Sequence, residues 1–154
     1  MLSEGDLVPD VKLANMEGGP ISPADFKGQK LVLYFYPKDD TSGCTAEAQA
    51  FTALASEFEK AGTWILGVSK DDARKHRKFT EKYDLKIPLA TDPDGSVCEA
   101  FGTWTQKSMY GRKYMGIDRA TFLVDRDGVV KGVWRKVKVP GHAEQVLEAA
   151  KAMP

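Results

Sequence analysis

Two kinds of apolar pattern alternate along the chain. KLVLYFY at Lys30–Tyr36 and TWILGVS at Thr63–Ser69 are nearly continuous apolar runs of strand length, the pattern of strands buried on both faces. ATFLVD at Ala120–Asp125 and VVKGVWRK at Val129–Lys136 read the same way. The DRDG connection at Asp125–Gly128 carries turn chemistry, so these two strands are expected to form an antiparallel hairpin. Helical periodicity fills the intervals Cys44–Ala61, Asp71–Tyr83, Gly95–Phe101 and His142–Met153. Pro88–Thr91 (PLAT) adds a short strand, and VKLANMEGGPI within residues 1–25 reads as a short hairpin ahead of the main sheet. Strand–helix–strand order implies right-handed parallel crossovers. The expected fold class is α/β: a central mixed β-sheet with helices on both faces. No repeat, low-complexity tract or linker interrupts the pattern, so residues 1–154 are expected to form one domain.

Composition removes several functions. Lys plus Arg and Asp plus Glu both number 22, giving a net charge of zero. That balance supplies no electrostatic attraction for nucleic acid or an acidic membrane. No apolar run has bilayer length, and MLSEGDLVPD has neither a basic nor an apolar leader segment, so a cytoplasmic protein is expected. Two cysteines do not make a disulfide scaffold; in a reducing compartment such a thiol is structural or catalytic. Two histidines and two distant cysteines make no metal-spaced cluster, and no cofactor is expected.

The chemistry concentrates in FYPKDDTSGCT, at the end of the first long strand. Reactive groups of open α/β sheets collect where strands hand over to helices. With Thr41 as N-cap, Cys44 falls at the third helical position, among amides that lack intrahelical partners. Those amides and the helix dipole favour a thiolate. Phe51, Leu54, Ala55 and Phe58 form a core-facing stripe, and Cys44 lies seven residues before Phe51 on the same face. The thiol is therefore expected to point inward, where a thiolate needs a cation or hydrogen bonds. A packed, inert core cysteine is the alternative on the helix alone. Pro37, the Thr41 hydroxyl and Gly43, which lets another group approach the backbone, weigh against it.

Pro37-x-x-x-Thr41-x-x-Cys44 matches the active-site motif of the peroxiredoxins, and FYPKDDTSGCTAEA resembles their bacterioferritin comigratory protein (PrxQ) branch. GVSKDD at Gly67–Asp72, MYGRKYMGIDRATFLVD at Met109–Asp125 and WRKVKVPGHAEQVLEA at Trp134–Ala149 resemble that branch in the same order. The resemblance implies a thioredoxin-like fold and reduction of hydrogen peroxide and organic hydroperoxides. It makes Cys44 the peroxidatic cysteine, with Pro37, Thr41 and Arg119 completing the active site. Arg119 would stabilise the thiolate and bind the peroxide, Thr41 would orient it, and Pro37 would shape the pocket.

The chain departs from the branch where a second cysteine is often found. Gln49 stands five residues after Cys44, and FTEK at Phe79–Lys82 has Thr80 at the other common position. Ser42 replaces a frequent proline. The remaining thiol, Cys98, shares an apolar face with Val97 and Phe101 and reads as core; the alternatives are an atypical resolving cysteine and an intermolecular disulfide. A one-cysteine cycle follows, with thioredoxin, glutaredoxin or a small thiol as reductant and a monomer or weak dimer as the expected state. Glu47 reads as a first-turn acid complementing the dipole. His76 reads as part of a solvated basic face, and His142 as a packing or capping residue at a helix start. YGRKY at Tyr110–Tyr114 is expected as a loop beside the site, with Met109 and Tyr110 lining the pocket. Three rivals remain. A cysteine hydrolase needs a histidine on Cys44. A thiol–disulfide oxidoreductase usually carries C-x-x-C, which Cys44-Thr45-Ala46-Glu47 lacks. A binding module would leave Cys44 packed and unreactive.

Overall fold

The computed structural model describes residues 2–154. The chain opens with a two-residue pair, β1 (Leu13–Ala14) and β2 (Pro20–Ile21), and then enters β3 (Lys30–Phe35). Two helices follow, α1 (Ser42–Ala53) and α2 (Ala55–Lys60), and lead into β4 (Thr63–Ser69). Next come α3 (Ala73–Tyr83), β5 (Leu89–Thr91) and the short α4 (Ser96–Ala100). The C-terminal part holds β6 (Trp104–Met109), β7 (Arg112–Ile117), β8 (Ala120–Val124), β9 (Val130–Arg135) and α5 (His142–Ala152).

Seven strands form one sheet in the order β2-β1-β5-β4-β3-β8-β9. β3 pairs in parallel with β4 and antiparallel with β8; β4 pairs in parallel with β5, and β8 with β9 as the expected antiparallel hairpin. The mixed α/β architecture predicted from the apolar pattern is the one observed. The N-terminal hairpin also forms, but it joins the main sheet through an Ala14–Thr91 pairing with β5.

Each residue of β3 is buried, because both faces of the sheet are covered. Side chains alternate across it. Val32, Tyr34 and the following Tyr36 enter a core with Cys44, Ala48 and Phe51 of α1, Phe58 of α2, Phe79 of α3 and Val146 and Leu147 of α5. Leu31, Leu33 and Phe35 enter a second core with Val97 and Cys98 of α4, Phe101, Ile117, Phe122 and Val130. The two cysteines therefore lie on opposite faces of the sheet. Lys30, at the start of β3, is buried and donates from Nζ to the Ala150 and Met153 carbonyls at 2.7 and 2.8 Å, closing the C-terminus of α5.

Three local expectations change. The helix expected over Cys44–Ala61 breaks at Leu54 (φ −102°, ψ 5°), where the amide turns to the Phe51 carbonyl at 3.1 Å and α2 begins. The apolar stripe survives the break, with the Phe51 and Phe58 rings 5.9 Å apart. YGRKY is not an irregular loop: it holds the turn and the start of the second strand of a separate two-stranded ribbon, β6–β7. Tyr110 and Gly111 take positive φ (52° and 76°), the geometry of a tight hairpin turn. Met109 and Tyr110 sit at its tip, 56% and 101% exposed, instead of lining a buried pocket. The polar, weakly alternating sequence of this ribbon gives no period-2 signal. No helix among the described residues is long and apolar enough to cross a membrane.

Gly67 marks the tightest passage in the sheet. A Cβ there would lie 2.7 Å from the Tyr34 ring and 2.8 Å from a Leu89 methyl. Gly67→Ala is expected to lower the unfolding free energy by about 1–3 kcal/mol, the ordinary cost of overpacking a dense core. Denaturant titration checks this, and an unchanged midpoint would show that the ring and methyl give way freely.

Candidate active site

Thr41 occupies the N-cap with extended backbone (φ −95°, ψ 158°), and Ser42, Gly43 and Cys44 are the first three residues of α1. The Thr41 side chain makes no capping bond; its hydroxyl donates to the Lys38 carbonyl at 2.8 Å. Two consequences follow. The Thr41 oxygen keeps its lone pairs as acceptors for a ligand. Among the described residues the amides of Ser42, Gly43 and Cys44 have no bonded acceptor, and the first in-helix bond runs from Thr45 to Thr41 at 2.8 Å. A cluster of unused donors thus surrounds the thiol.

Arg119, just before β8, reaches this turn from the far side of β3. Its Nη2 donates to Cys44 Sγ at 3.3 Å, and its Nη1 to Glu47 Oε1 at 2.7 Å. Gly43 makes the approach feasible, since a Cβ there would lie 3.2 Å from Nη2. Glu47 belongs to the second turn of α1 and is 1% exposed, so it does not serve the dipole as a first-turn acid. It is the buried hydrogen-bond partner of Arg119. Burial raises its carboxyl from the ordinary 4.5 to about 7, with Arg119 pulling the other way and only partly offsetting that rise. Burial alone would lower Arg119, but Glu47 and Cys44 outweigh it and hold the guanidinium above its ordinary value.

The loop between β3 and α1 is fixed by a buried polar network invisible in the motif. Tyr36 donates through its hydroxyl to Asp39 Oδ1, and His76 Nδ1 lies 2.7 Å from Asp39 Oδ2. His76 Nε2 faces the Ala90 carbonyl at 3.1 Å and donates to it. The Asp39 amide donates to Asp71 Oδ2 at 2.8 Å, an oxygen that also accepts from Ser69 Oγ at 2.7 Å. His76 is therefore fully buried and not part of a solvated face. The signal was its phase: His76, Phe79 and Tyr83 recur at the i, i+3, i+7 spacing of one helix face. Outside this network, Asp40 (φ 61°) is tied to α3 by Lys82 Nζ at 2.8 Å and by the Tyr83 hydroxyl.

His142 is the first residue of α5 and packs edge-on against Phe51 and Trp134. Its Nε2 lies 2.8 Å from Thr121 Oγ1. Burial, reinforced by Arg119, lowers it from 6.5 to about 4 and keeps it neutral. Among the described residues Cys44 Sγ hydrogen-bonds to Arg119 and to neither histidine, so the pairing a cysteine hydrolase requires is not made. Cys98 lies across the sheet, fully buried, with its amide donating to Asp92 Oδ2 at 2.8 Å. Burial first, then Asp92, push its thiol far up. Among the described residues no group of three or more His, Cys, Asp or Glu is placed to hold a metal ion.

Glu47 and His142 make opposite contributions to stability against pH. A carboxyl whose proton is held more tightly folded than unfolded loses stability as pH rises from about 4.5 to about 7. A buried neutral histidine loses stability as pH falls from 6.5 towards about 4. At roughly 1.4 kcal/mol per pH unit, each window is worth on the order of 3 kcal/mol. Relative to Glu47→Gln, wild type should therefore lose about 3 kcal/mol between pH 4.5 and pH 7 in denaturant titrations. Parallel stability profiles for the two proteins would contradict the assignment.

The chain that carries this site has known relatives. The AhpC/TSA family model matches residues 5–133. The Bacillus subtilis peroxiredoxin Bcp is 43% identical over 149 residues, covering 97% of this chain and 95% of that protein. The Escherichia coli K12 peroxiredoxin Bcp is 40% identical over 146 residues, covering 95% and 94%. Among solved structures, the bacterioferritin comigratory protein of Xanthomonas campestris superposes with a TM-score of 0.89 at 45% identity, covering 96% of both chains. PrxQ of Xylella fastidiosa gives a TM-score of 0.93 at 38% identity, covering 99% of this chain and 97% of the other. These relatives carry the thioredoxin-like fold, and with the same sheet and the same length of chain this protein belongs to the AhpC/TSA family as a peroxiredoxin of the Bcp (PrxQ) type, a thiol peroxidase.

Proposed function

We propose that the protein reduces hydrogen peroxide and organic hydroperoxides through a one-cysteine cycle at Cys44, regenerated by an external thiol. The observation that carries the reading is the 3.3 Å contact between Arg119 Nη2 and Cys44 Sγ beside unpartnered helix-start amides. It supplies what a buried thiolate nucleophile needs: a permanent cation and donors in place before reaction. The solved Xanthomonas campestris relative is described in terms of alkyl peroxide reduction, and the organic-hydroperoxide part of the reading draws on it.

In the first half-reaction the Cys44 thiolate donates an electron pair to the terminal peroxide oxygen. An S–O bond forms as the O–O bond breaks, and the second oxygen leaves as hydroxide or alkoxide and takes up a proton. Sulfur is oxidised by two electrons to sulfenic acid, and the peroxide becomes water or alcohol. Thr41, whose own proton is committed to Lys38, accepts from the peroxide O–H and turns it towards the sulfur. Arg119 and the Cys44 amide donate to the oxygens as negative charge moves off sulfur. Pro37 ends β3 and shapes the turn without exchanging protons.

In the second half-reaction a reductant thiolate attacks the sulfenic sulfur, hydroxide leaves and becomes water with the proton the reductant thiol gave up, and a second thiol resolves the mixed disulfide. Two features favour an external thiol. Gln49 and Thr80 stand where relatives' resolving cysteines are expected, and Cys98 is in the other core, behind the sheet. Bonding it to Cys44 requires Cα atoms within about 7 Å, so the central strand would have to be displaced. Thioredoxin, glutaredoxin and small thiols all fit this chemistry in a reducing cytoplasm, with the protein acting as a monomer or weak dimer.

After one equivalent of peroxide, intact-mass analysis should find one added oxygen on Cys44 in wild type and in Cys98→Ser, and none in Cys44→Ser. Rapid mixing should show Cys98→Ser reacting at the wild-type rate and Arg119→Gln slowed about 10²–10³-fold, the usual loss on removing one preorganised donor. A disulfide in wild type that Cys98→Ser lacks would replace the one-cysteine cycle with a two-cysteine one. Equal, slow consumption by wild type and Cys44→Ser would refute the peroxidase reading for this site.

A further inference from the structure

Arg119 serves two acids. One guanidinium bonds the Cys44 sulfur through Nη2 and the Glu47 carboxyl through Nη1, inside a pocket where both acids are at most 2% exposed. With both acids ionised, the three groups would carry an unbalanced negative charge in a low-dielectric site. With one acid ionised they are neutral. A neutral cluster therefore has one proton for the two acids that share Arg119.

The surroundings decide which acid keeps that proton. Glu47 Oε1 accepts from Arg119, but Oε2 is buried with no hydrogen-bond partner among the described residues. A carboxylate oxygen in that position carries charge without a donor, whereas a protonated one does not. Cys44 has the opposite environment, with Arg119 on the sulfur and unused amides around it. No other group packed against the pair offers Glu47 a compensating charge. Tyr34 of β3 has an unpartnered hydroxyl and is kept a neutral phenol by burial first and then by Glu47, Cys44 and Asp39. Asp39, after β3, is occupied by Tyr36 and His76, and His142 of α5 is neutral beside Thr121. The elevated titration of Glu47 to about 7 agrees with this arrangement.

We propose that Glu47 is the proton store of the peroxidase site: in the reduced enzyme it holds the proton that Cys44 gives up, and it releases that proton as the sulfenic acid forms. The proposal rests on the peroxidase reading of Cys44. Its balance is closed. The reduced cluster is thiolate, neutral Glu47 and Arg119 cation. Attack on the peroxide turns the thiolate into neutral sulfenic acid and expels hydroxide or alkoxide. Arg119 is then without an anion and Glu47 ionises to supply one; the proton it gives up to water offsets the proton that the departing oxyanion takes from water. The overall change is thiol plus hydroperoxide to sulfenic acid plus water or alcohol, with no net proton drawn from solution. Glu47 touches neither substrate nor sulfur in this scheme; it is a positioning residue for Arg119 that also keeps the cluster's charge constant through the reaction.

Proton uptake during a single turnover tests this, in weakly buffered solution at neutral pH with an indicator dye, alongside the ultraviolet absorbance of the thiolate and intact-mass analysis. Wild type is expected to show thiolate absorbance before mixing and almost no proton uptake as it disappears. Glu47→Gln, whose amide oxygen still accepts from Arg119 but holds no exchangeable charge, is expected to take up one proton per sulfenic acid formed. Uptake of one proton per sulfenic acid by wild type overturns the proposal, and so does a reduced wild type without thiolate absorbance. These wild-type measurements decide the matter even where Glu47→Gln fails to fold. If no oxygen is added to Cys44, the peroxidase reading itself has failed, and the mass spectrum separates that result from the others.

Discussion

The ion cluster of Cys44, Arg119 and Glu47 is the constraint around which the rest of this molecule is arranged. Burying a guanidinium, a carboxyl and a thiol together is costly unless each has partners. The fold meets that requirement by bringing three separate segments to one point. The first turn of α1 supplies the thiol and free amides, its second turn supplies the carboxyl, and the residue before β8 supplies the cation. β8 lies directly beside β3, so Arg119 arrives next to the strand whose end launches α1. Gly43 eases this approach, because a Cβ there would press to 3.2 Å from the guanidinium.

The loop between strand and helix has its own anchor. Asp39 is held on both carboxylate oxygens and on its amide by Tyr36, His76 and Asp71, which belong to three different segments. Preorganisation of this kind keeps Thr41 and the helix start from collapsing onto the unpartnered amides in the absence of ligand. It also divides the loop into a rigid part and a looser part. Up to Asp39 the chain is tied into the core; from Asp40 to Ser42 its ties are an exposed ion pair with Lys82, a bond from the Tyr83 hydroxyl, the Thr41–Lys38 bond and the first helical bond from Thr45 to Thr41. Exposed pairs contribute little to stability.

Much of the fold was readable because buried strands announce themselves. KLVLYFY and TWILGVS are apolar enough to require cover on both faces, and DRDG requires a turn. Cys44 was readable for a related reason, since its phase with Phe51 and Phe58 placed it inward. What the pattern could not show was pairing over long sequence separation. Arg119 looks like any strand-end arginine until a residue 75 positions away is seen to meet it. Charge and polarity point His76 to a solvated face and Glu47 to the helix dipole, whereas helical phase points both inward. His76 shares its face with Phe79, and Glu47 follows Cys44 by one turn, so periodicity favoured burial for both. The β6–β7 ribbon escaped for the reverse reason: exposed on both sides, it has no apolar alternation to read.

The same cluster also sets the problem of the second half-reaction. Cys44 is 2% exposed, so a protein thiol cannot reach its sulfur along a straight path in this conformation. In the proposed cycle the peroxide brings only two heavy atoms to the sulfur, whereas a reductant carrying its own polypeptide needs a wider approach. Access must come from the weakest ties around the sulfur, and these are the Asp40–Ser42 stretch and the first turn of α1. The sheet is not among them, because β3 is paired on both sides along its length. Oxidation itself loosens the right place. In the proposed cycle a neutral sulfenic acid would leave Arg119 no charge on sulfur to bind, so the contact that draws the first turn of α1 towards β8 would weaken at the step where the reductant enters. The strength of the thiolate contact before reaction and the accessibility of the sulfur after it thus have a common origin in the charge on one atom.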